Sequence, residues 1–398
     1  MELARRLDRI QPSPTLAMGA RARVLKARGV DVIDLSVGEP DADTPEAIKE
    51  AAVRALAAGR TKYTPAAGLP ELREAIAEKL ARVNGLPYRA ENVLVTVGAK
   101  HAIFLALQAL CNPGDRVLIP APYWVSYADQ ASLVDAEPVI LPTREEDGFK
   151  LRPEVLSEAV QGARVLILNS PHNPTGAVYT PEELAALGEV LAEAPGCWVI
   201  SDEIYEPFVY DGARNESLLR LKPELQERAV VINGFSKAYA MTGWRLGYAA
   251  GPQPLVAAMT TLQSHATSNA TTFAQVAAIE ALQGSQASVE TMVRTFRERR
   301  DLLLAGLRRL PGLSCPTPQG AFYLFPKVSG LFGRTWRGQV IQSSQQLAEL
   351  LLEGAATATV PGTAFGTEGY LRLSYAASTE RLAEALDRWQ AFWEEMEP

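Results

Sequence analysis

Histidine, cysteine and long apolar runs are all scarce in this chain, and each scarcity closes off a class of function. Only three histidines occur in 398 residues, which argues against a histidine-built metal centre. The cysteines, Cys111, Cys197 and Cys315, are odd in number and widely spaced. They read as reduced thiols of a cytoplasmic protein, without a disulfide framework or zinc spacing. No uninterrupted apolar stretch approaches the length of a transmembrane helix. The opening MELARRLDRI lacks the apolar core of a secretion signal. Clustered Lys/Arg tracts are missing too, and with a formal net charge of -7 this speaks against nucleic-acid binding. The expectation is a soluble cytoplasmic protein with no metal, membrane or nucleic acid as partner.

What is present is an ordinary globular composition on a chain long enough for two domains or one large one. A polar arm and a helix-like run, ARARVLKARG, lead to VIDLSVGEPD, a short strand breaking into a turn. Thr44-Pro45-Glu46 reads as an N-cap, first-turn proline and acidic residue, and PELREAIAEKLARVNG as a second amphipathic helix. Alternation then sets in. VLVTV, RVLIP, RVLILNS, CWVISD and AVVIN read as strands, with helical segments such as PEVLSEAV and PEELAALGEVLAEA between several of them. The strands are mostly apolar, as expected when both faces of a parallel sheet are covered. The order predicts an α/β sheet domain over 45–285. A smaller α+β domain would combine 1–44 with 286–398, which carries a long charged helix, AFYLFPK, YLRLSYA and a last amphipathic helix.

The stretch NGFSKAYAMTGWRLGY, Asn233 to Tyr248, follows a buried-strand pattern and holds one lysine, Lys237, after Ser236 and eight residues before Arg245. Lysine among small and apolar neighbours loses its charge readily and becomes a nucleophilic amine. The plainer reading is a loop whose Lys and Arg face water.

Other strand ends also carry polar groups, and ligands of such sheets bind beyond the carboxyl ends of the strands. VLVTV runs into Gly98-Ala99-Lys100-His101 and an apolar helix, a turn that presents free N–H groups to an anion. RVLILNSPHNPTG places Asn169 and Asn173 after a strand, in a turn punctuated by Asn-Pro and Thr-Gly. CWVISDEIYEPF ends on Asp202, with Tyr205 three residues on. Asp202 is either a turn former or a buried carboxylate facing a ligand. Trp124 in PYW reads by itself as a core or interface aromatic. Arg372 in YLRLSYA is either solvated or functional.

Together these segments resemble fold-type I, class I pyridoxal-phosphate (PLP) aminotransferases, in family order from residue 38 to 372. The resemblance looks greatest to the bacterial subgroup of aspartate aminotransferases, some of which also accept prephenate. It implies an α/β fold with a mostly parallel seven-stranded sheet in the large domain. Lys237 would bind PLP covalently and shuttle the substrate α-proton. Gly98, Ala99, Lys100, Ser236 and Arg245 would surround the phosphate, Asp202 would pair with the ring nitrogen, and Asn173 and Tyr205 with the 3'-oxygen. Trp124 would stack on the ring, while Gly38, Trp124, Asn173 and Arg372 would meet the substrate, Arg372 as a fork on its α-carboxylate. Tyr63 resembles the tyrosine that reaches the phosphate of a neighbouring subunit, which implies a homodimer with shared sites. His172 stands where many relatives carry Asn and is expected to be a loop residue.

The resemblance also bears on the substrate. The stretch Gln263 to Gln275 contains no arginine, so the distal-carboxylate arginine of the animal and enteric branch is absent. Lys100, with Ser13 and Thr15 of the arm PSPT, is the alternative that the bacterial subgroup offers, though a solvated Lys100 is the plainer reading. The implied activity is ping-pong transfer of an amino group between aspartate or glutamate and 2-oxoglutarate or oxaloacetate, with prephenate as a further acceptor. Rival readings are an aminotransferase for aromatic or neutral amino acids, a PLP β-lyase or cyclopropane-forming synthase of the same fold, and a ligand-binding regulator. The regulator would need an N-terminal DNA-binding region where only a short arm precedes SVGEPD.

Overall fold

The computed structural model describes residues 3–10, 12 and 14–397, the side chains of residues 14–16 excepted. Seven strands form the main sheet: β1 (Val93–Thr96), β2 (Arg116–Ala121), β3 (Glu137–Pro142), β4 (Ala163–Asn169), β5 (Trp198–Asp202), β6 (Ala229–Gly234) and β7 (Gly247–Ala250). Their order across the sheet is β1-β7-β6-β5-β4-β2-β3. The pairings from β3 through β6 are parallel, and β7 is antiparallel to both of its neighbours. Six strands therefore point one way, and their carboxyl ends share one edge. The apolar runs that read as strands are β1, β2, β4, β5 and β6, and β1 and β6 are buried along their whole length. Two strands fall outside those runs. β3 has one buried residue, the others being exposed or half-exposed, and β7 is short and made of Gly, Tyr and Ala.

Helices cover both faces. One core cluster packs Ile76, Leu72 and Leu80 of helix Pro70–Asn84 with Ala274 and Ala277 of helix Thr272–Gln283 against Val95, Leu166 and Val231. On the opposite face Ile103 and Leu107 of helix Ala99–Leu110 meet Ile119, Ile167 and Ile232. The alternation of side chains along each strand sends neighbours to opposite faces, so a buried sheet needs apolar residues in succession.

A separate cluster joins Met18, Val32 and Leu35 to residues between Met292 and Trp393. At its centre β8 (Tyr323–Leu324) and β9 (Val360–Pro361) flank β10 (Leu371–Ser374) in an antiparallel sheet. Helices Ala287–Leu307, Ser344–Gly354 and Thr379–Glu394 surround it. The short strand Ile33–Asp34 pairs in parallel with Thr357–Ala358, which fastens the early chain to this late segment. One expected cap is not made. Helix Glu46–Ala57 has Pro45 at its N-cap, and the Thr44 hydroxyl instead donates to the Ala240 carbonyl at 2.7 Å while accepting from the Trp244 indole at 3.0 Å. Thr44 thus ties the loop 36–44 to the segment that follows Lys237. Among the described residues no helix is long and apolar enough to cross a membrane. Cys111, Cys197 and Cys315 are free thiols, and burial pushes all three up, to about 12, 11 and 12.

Candidate active site

The carboxyl edge of the main sheet opens into a cavity of about 360 Å³. Its walls include Gly38, Ala99, Lys100, Trp124, Asn173, Asp202, Tyr205, Ser236, Lys237, Arg245 and Arg372. These came from segments scattered over 335 residues, and the topology brings them to one place because parallel strands deliver their C-terminal loops to the same edge.

Asp202 ends β5 at 4 % exposure. Its Oδ2 accepts the Tyr127 phenol at 2.5 Å and its Oδ1 the Ile204 N–H at 3.2 Å. Burial pushes its carboxyl up to about 6, against the pull of these donors and of Lys237. A buried carboxylate of this kind gains most from a cationic N–H partner.

Lys237 follows β6 and reaches the cavity, where its ammonium donates to the Gly38 carbonyl. Desolvation lowers it from 10.5 to about 8 against the charge of Glu39 and Asp202, and the positive charges of Arg372 and Arg245 act with the desolvation, so a neutral amine is accessible near physiological pH. The water-facing reading therefore fails for Lys237. For Arg245 it holds in part: the residue is exposed, but it also lines the cavity. Its guanidinium donates to the Thr242 carbonyl at 2.8 Å. Arg245 lies against Gly98, where an added Cβ would come within 2.6 Å of Nη2, and Gly98 has φ +82. The positive φ calls for a glycine there, and the missing Cβ leaves the space that the Arg245 guanidinium fills. Gly98 caps helix Ala99–Leu110 with no side-chain acceptor, so first-turn N–H groups and the Arg245 fork face the same end of the cavity. That end is built for an anion.

At the other end, Arg372 lies in β10 at 2 % exposure, which rules out the solvated reading. It donates to Asn173 Oδ1 at 3.0 Å and to the Ser36 carbonyl at 2.6 Å, between the rings of Tyr323 and Phe365 at 4.6 and 4.9 Å. Its Nε is buried without a partner, and burial lowers its affinity for the proton. Asn173 is held in turn by its N–H on Asn169 Oδ1 at 2.9 Å. The Tyr205 phenol is 2.7 Å from that of Tyr323, and burial raises both. Tyr323 also stands 2.6 Å from where a Cβ on Gly38 would be, so the loop passes close over it only as glycine.

Lys100 is the second residue of its helix, as expected, and its Nζ lies 4.9 Å from the centre of the Trp124 ring. Burial and then the charge of Arg245 lower it. Trp124 lines the cavity and meets Tyr127 edge-on at 5.3 Å. Tyr63 is placed elsewhere, 88 % exposed, in a second concavity with Lys62, Ser268 and Phe273. Ser13 and the side chain of Thr15 lie outside the described residues. His172 is buried in its turn, 2.7 Å from the Thr175 hydroxyl, and burial pushes it down to about 4. It lines the neighbouring crevice rather than the cavity, in keeping with a loop role.

Sequence reasoning missed Tyr127, Tyr323 and Thr242, which also line the cavity. Tyr127 had a weak signal, three residues after Trp124 at the start of a helix. Tyr323 had none, because AFYLFPK reads simply as an apolar strand.

The family described as "Aminotransferase class I and II" matches residues 30–388. The aspartate/prephenate aminotransferase of Cereibacter sphaeroides is 49% identical over 388 residues, covering 97% of each chain. The aspartate aminotransferase structure from Rhizobium meliloti superimposes with a TM-score of 0.97 at 43% identity over 100% of both chains. That of the Thermus thermophilus aspartate aminotransferase with maleate gives 0.93 at 45% identity, covering 98% of this chain and 100% of the other. With the fold, the cavity and these likenesses agreeing over nearly the full length, the chain belongs to the class I and II aminotransferases.

Proposed function

We propose that this protein binds pyridoxal 5'-phosphate at Lys237 and transfers amino groups between aspartate or glutamate and the corresponding 2-oxo acids. The observation that carries the reading is one cavity holding a depressed lysine, a buried carboxylate and a buried arginine: Lys237, Asp202 and Arg372. The residues fit the cofactor. Ala99, Ser236 and Arg245 offer N–H, hydroxyl and guanidinium donors to its phosphate, and Gly98 leaves the room beside them that the Arg245 guanidinium occupies. Asp202 offers a carboxylate to a ring nitrogen, Trp124 a face, and Asn173 and Tyr205 polar groups to the 3'-oxygen. Bound there, the cofactor supplies a ring able to take up the electron pair left when an α-proton departs.

The protein's own residues do the rest. Lys237 Nζ would hold the cofactor, and once an amino acid has taken its place the free amine would take the α-proton and return it to the cofactor carbon that Nζ had held. Asp202 keeps the ring nitrogen protonated. Arg372, rigid between two aromatic rings, binds the α-carboxylate through its unsatisfied Nε and its fork. Lys100 offers a second cation for a distal carboxylate, which supports dicarboxylates, with prephenate as a further acceptor. The relative solved with maleate, itself a dicarboxylate, supports the same choice.

The exposed Tyr63 supports a homodimer in which this phenol serves the partner's phosphate. Mixing Tyr63→Phe with Lys237→Ala subunits would yield heterodimers with one intact site, and an active, cofactor-loaded monomer in sedimentation would refute it. The separate core clusters support a large domain over 45–285 and a small one over 1–44 with 286–398. Half-reaction titrations with aspartate, glutamate, phenylalanine, alanine and prephenate, followed by the cofactor spectrum, test the substrate assignment. Aspartate and glutamate are expected to convert at the lowest concentrations. Saturation by phenylalanine at lower concentration would replace it with an aromatic one.

A further inference from the structure

Beside the cavity, and lining none of it, lies a buried polar cluster with no place in the chemistry above. Lys79 of helix Pro70–Asn84 pairs with Glu206, their side chains 15% and 12% exposed. Lys79 Nζ also donates to Asn84 Oδ1 at 3.0 Å. Asn233, the penultimate residue of β6, donates from Nδ2 to the same Glu206 oxygen, Oε2, at 2.6 Å, and its Oδ1 accepts the Gly234 N–H at 2.7 Å. Glu203 takes hydroxyl hydrogen bonds from Ser201 and Ser217 on one oxygen, at 2.9 and 2.8 Å.

The position of this cluster is informative. Backbone pairing between β5 and β6 ends at Asp202 and Ile232, and the Glu203 N–H on the Ile232 carbonyl at 2.9 Å is the last rung. Beyond it the chain carries Tyr205 on one side and Lys237 on the other. Among the described residues, Asn233 to Glu206 is the one hydrogen bond joining 203–206 to 233–237 past that rung. Burial, then the Glu206 charge, push Glu203 up to about 7. Burial pushes the Lys79 ammonium down, and the Glu206 charge more than offsets it and holds it up. The cluster is thus arranged around Glu206, one oxygen of which takes both the Lys79 ammonium and the Asn233 amide. An ion pair in such a place gives little stability over apolar residues of similar size, which leaves a demand for fixed geometry as the reason to keep it.

We propose that Glu206 is a positioning residue: through Asn233 it fixes the segment carrying Lys237 against the turn carrying Asp202 and Tyr205, and Lys79 holds it in place. This rests on the reading that Lys237 and Asp202 hold the cofactor. Asn233→Asp sets two carboxylates against each other at this contact. It should lower kcat for aspartate about 10- to 100-fold with KM nearly unchanged, since Arg372 and Lys100 are untouched. Adding Glu206→Gln swaps amide and carboxylate across the same contact at constant net charge. The double variant should recover most of kcat, and the circular dichroism of the bound cofactor, altered in the single variant, should return with it. The pair Lys79→Met with Glu206→Gln removes both charges together and keeps the test open if Asn233→Asp does not fold. It should be slowed with the parent's KM. Parental kcat in the folded variants, with only the melting temperature lowered, would make the cluster a matter of stability and overturn the proposal. So would a double variant as slow as the single. Borohydride labelling separates the two failures. A parent labelled at a lysine other than Lys237 overturns the underlying reading, whereas a label at Lys237 with unaltered kcat in every variant overturns this inference alone.

Discussion

The two sheets equip the cavity in different ways. The main sheet contributes groups at or just past its strand ends, Asp202 closing β5 and Lys237 following β6, and burial moves both toward the neutral range, to about 6 and about 8. The small antiparallel sheet contributes Arg372 from inside a strand, and a guanidinium keeps its charge at any pH of interest. One side of the cavity can therefore exchange protons, while the other only holds charge. The division matches the roles proposed for the two sides: proton transfer needs a group that changes state, and recognition of a carboxylate needs one that does not. The turn after β5 bridges the two, since Tyr205 and Phe208 pack in the same cluster as Phe322 and Tyr323.

The strongest way to break this comparison is to remove the exchanging group. Lys237→Ala should lower kcat by roughly 10⁴-fold or more and abolish the borohydride-stable adduct in a peptide map. Residual turnover near the parent's would move the proton transfer to another residue. Removing the fixed charge should do something different. Arg372→Leu should lower kcat/KM about 10²-fold for every amino acid alike, mostly through KM, because the α-carboxylate is common to all. Loss confined to aspartate and glutamate would mean that Arg372 reads the side chain instead.

The same contrast decides what could be read before the structure. Groups that follow a strand at the sheet edge announce themselves, because an apolar β-branched run ending in Asp202 or leading to Lys237 is visible in the chain. The antiparallel partner β7 does not, since Gly-Tyr-Ala-Ala has no strand-like composition and is defined by its pairing with β1 and β6. β3 escaped for a related reason: it pairs with β2 alone and all but one of its residues are exposed or half-exposed. Arg372 could be named only by resemblance, because a charged residue flanked by leucines is ordinarily solvated. Its burial depends on Ser36 and Tyr323, which are distant in sequence, as well as on Phe365 just before its strand. Thr44 shows the converse, a good local cap drawn off by a tertiary partner, Ala240.

Lys100 sharpens the comparison from the cofactor side. It sits in the first helical turn, where the dipole disfavours a cation by roughly 0.3–1 kcal/mol, so a bound anion should be what it serves. Lys100→Ala should raise KM for aspartate about 10-fold and leave that for alanine nearly unchanged. An equal rise for both would assign Lys100 to the cofactor phosphate and remove the main support for a dicarboxylate substrate.

The smallest effect, and the most direct test of exchange against fixed charge, is the pH dependence of stability in the cofactor-free protein. Lys237 is lowered in the fold from 10.5 to about 8. Between these values the unfolded chain binds the proton and the folded one does not, so stability rises with pH. Below about 8 the folded protein carries the ammonium at a cost, which Lys237→Met removes. The variant should then melt a few degrees above the parent, with the advantage shrinking as pH rises toward 10.5. Asp202 is raised from 3.8 to about 6, so its contribution is intact below 3.8 and lost as pH rises through 6. The pH-dependent gain of Asp202→Asn should accordingly appear above about 6 and fade as pH falls to 3.8. Arg372→Leu should shift the melting temperature by the same amount throughout this range, because its charge is present in both states. Thermal melts of the three variants across pH would show two opposed slopes and one flat line. A flat line for Lys237→Met would mean that its ammonium is fully solvated, and the exchanging side of the cavity would lose its proton acceptor.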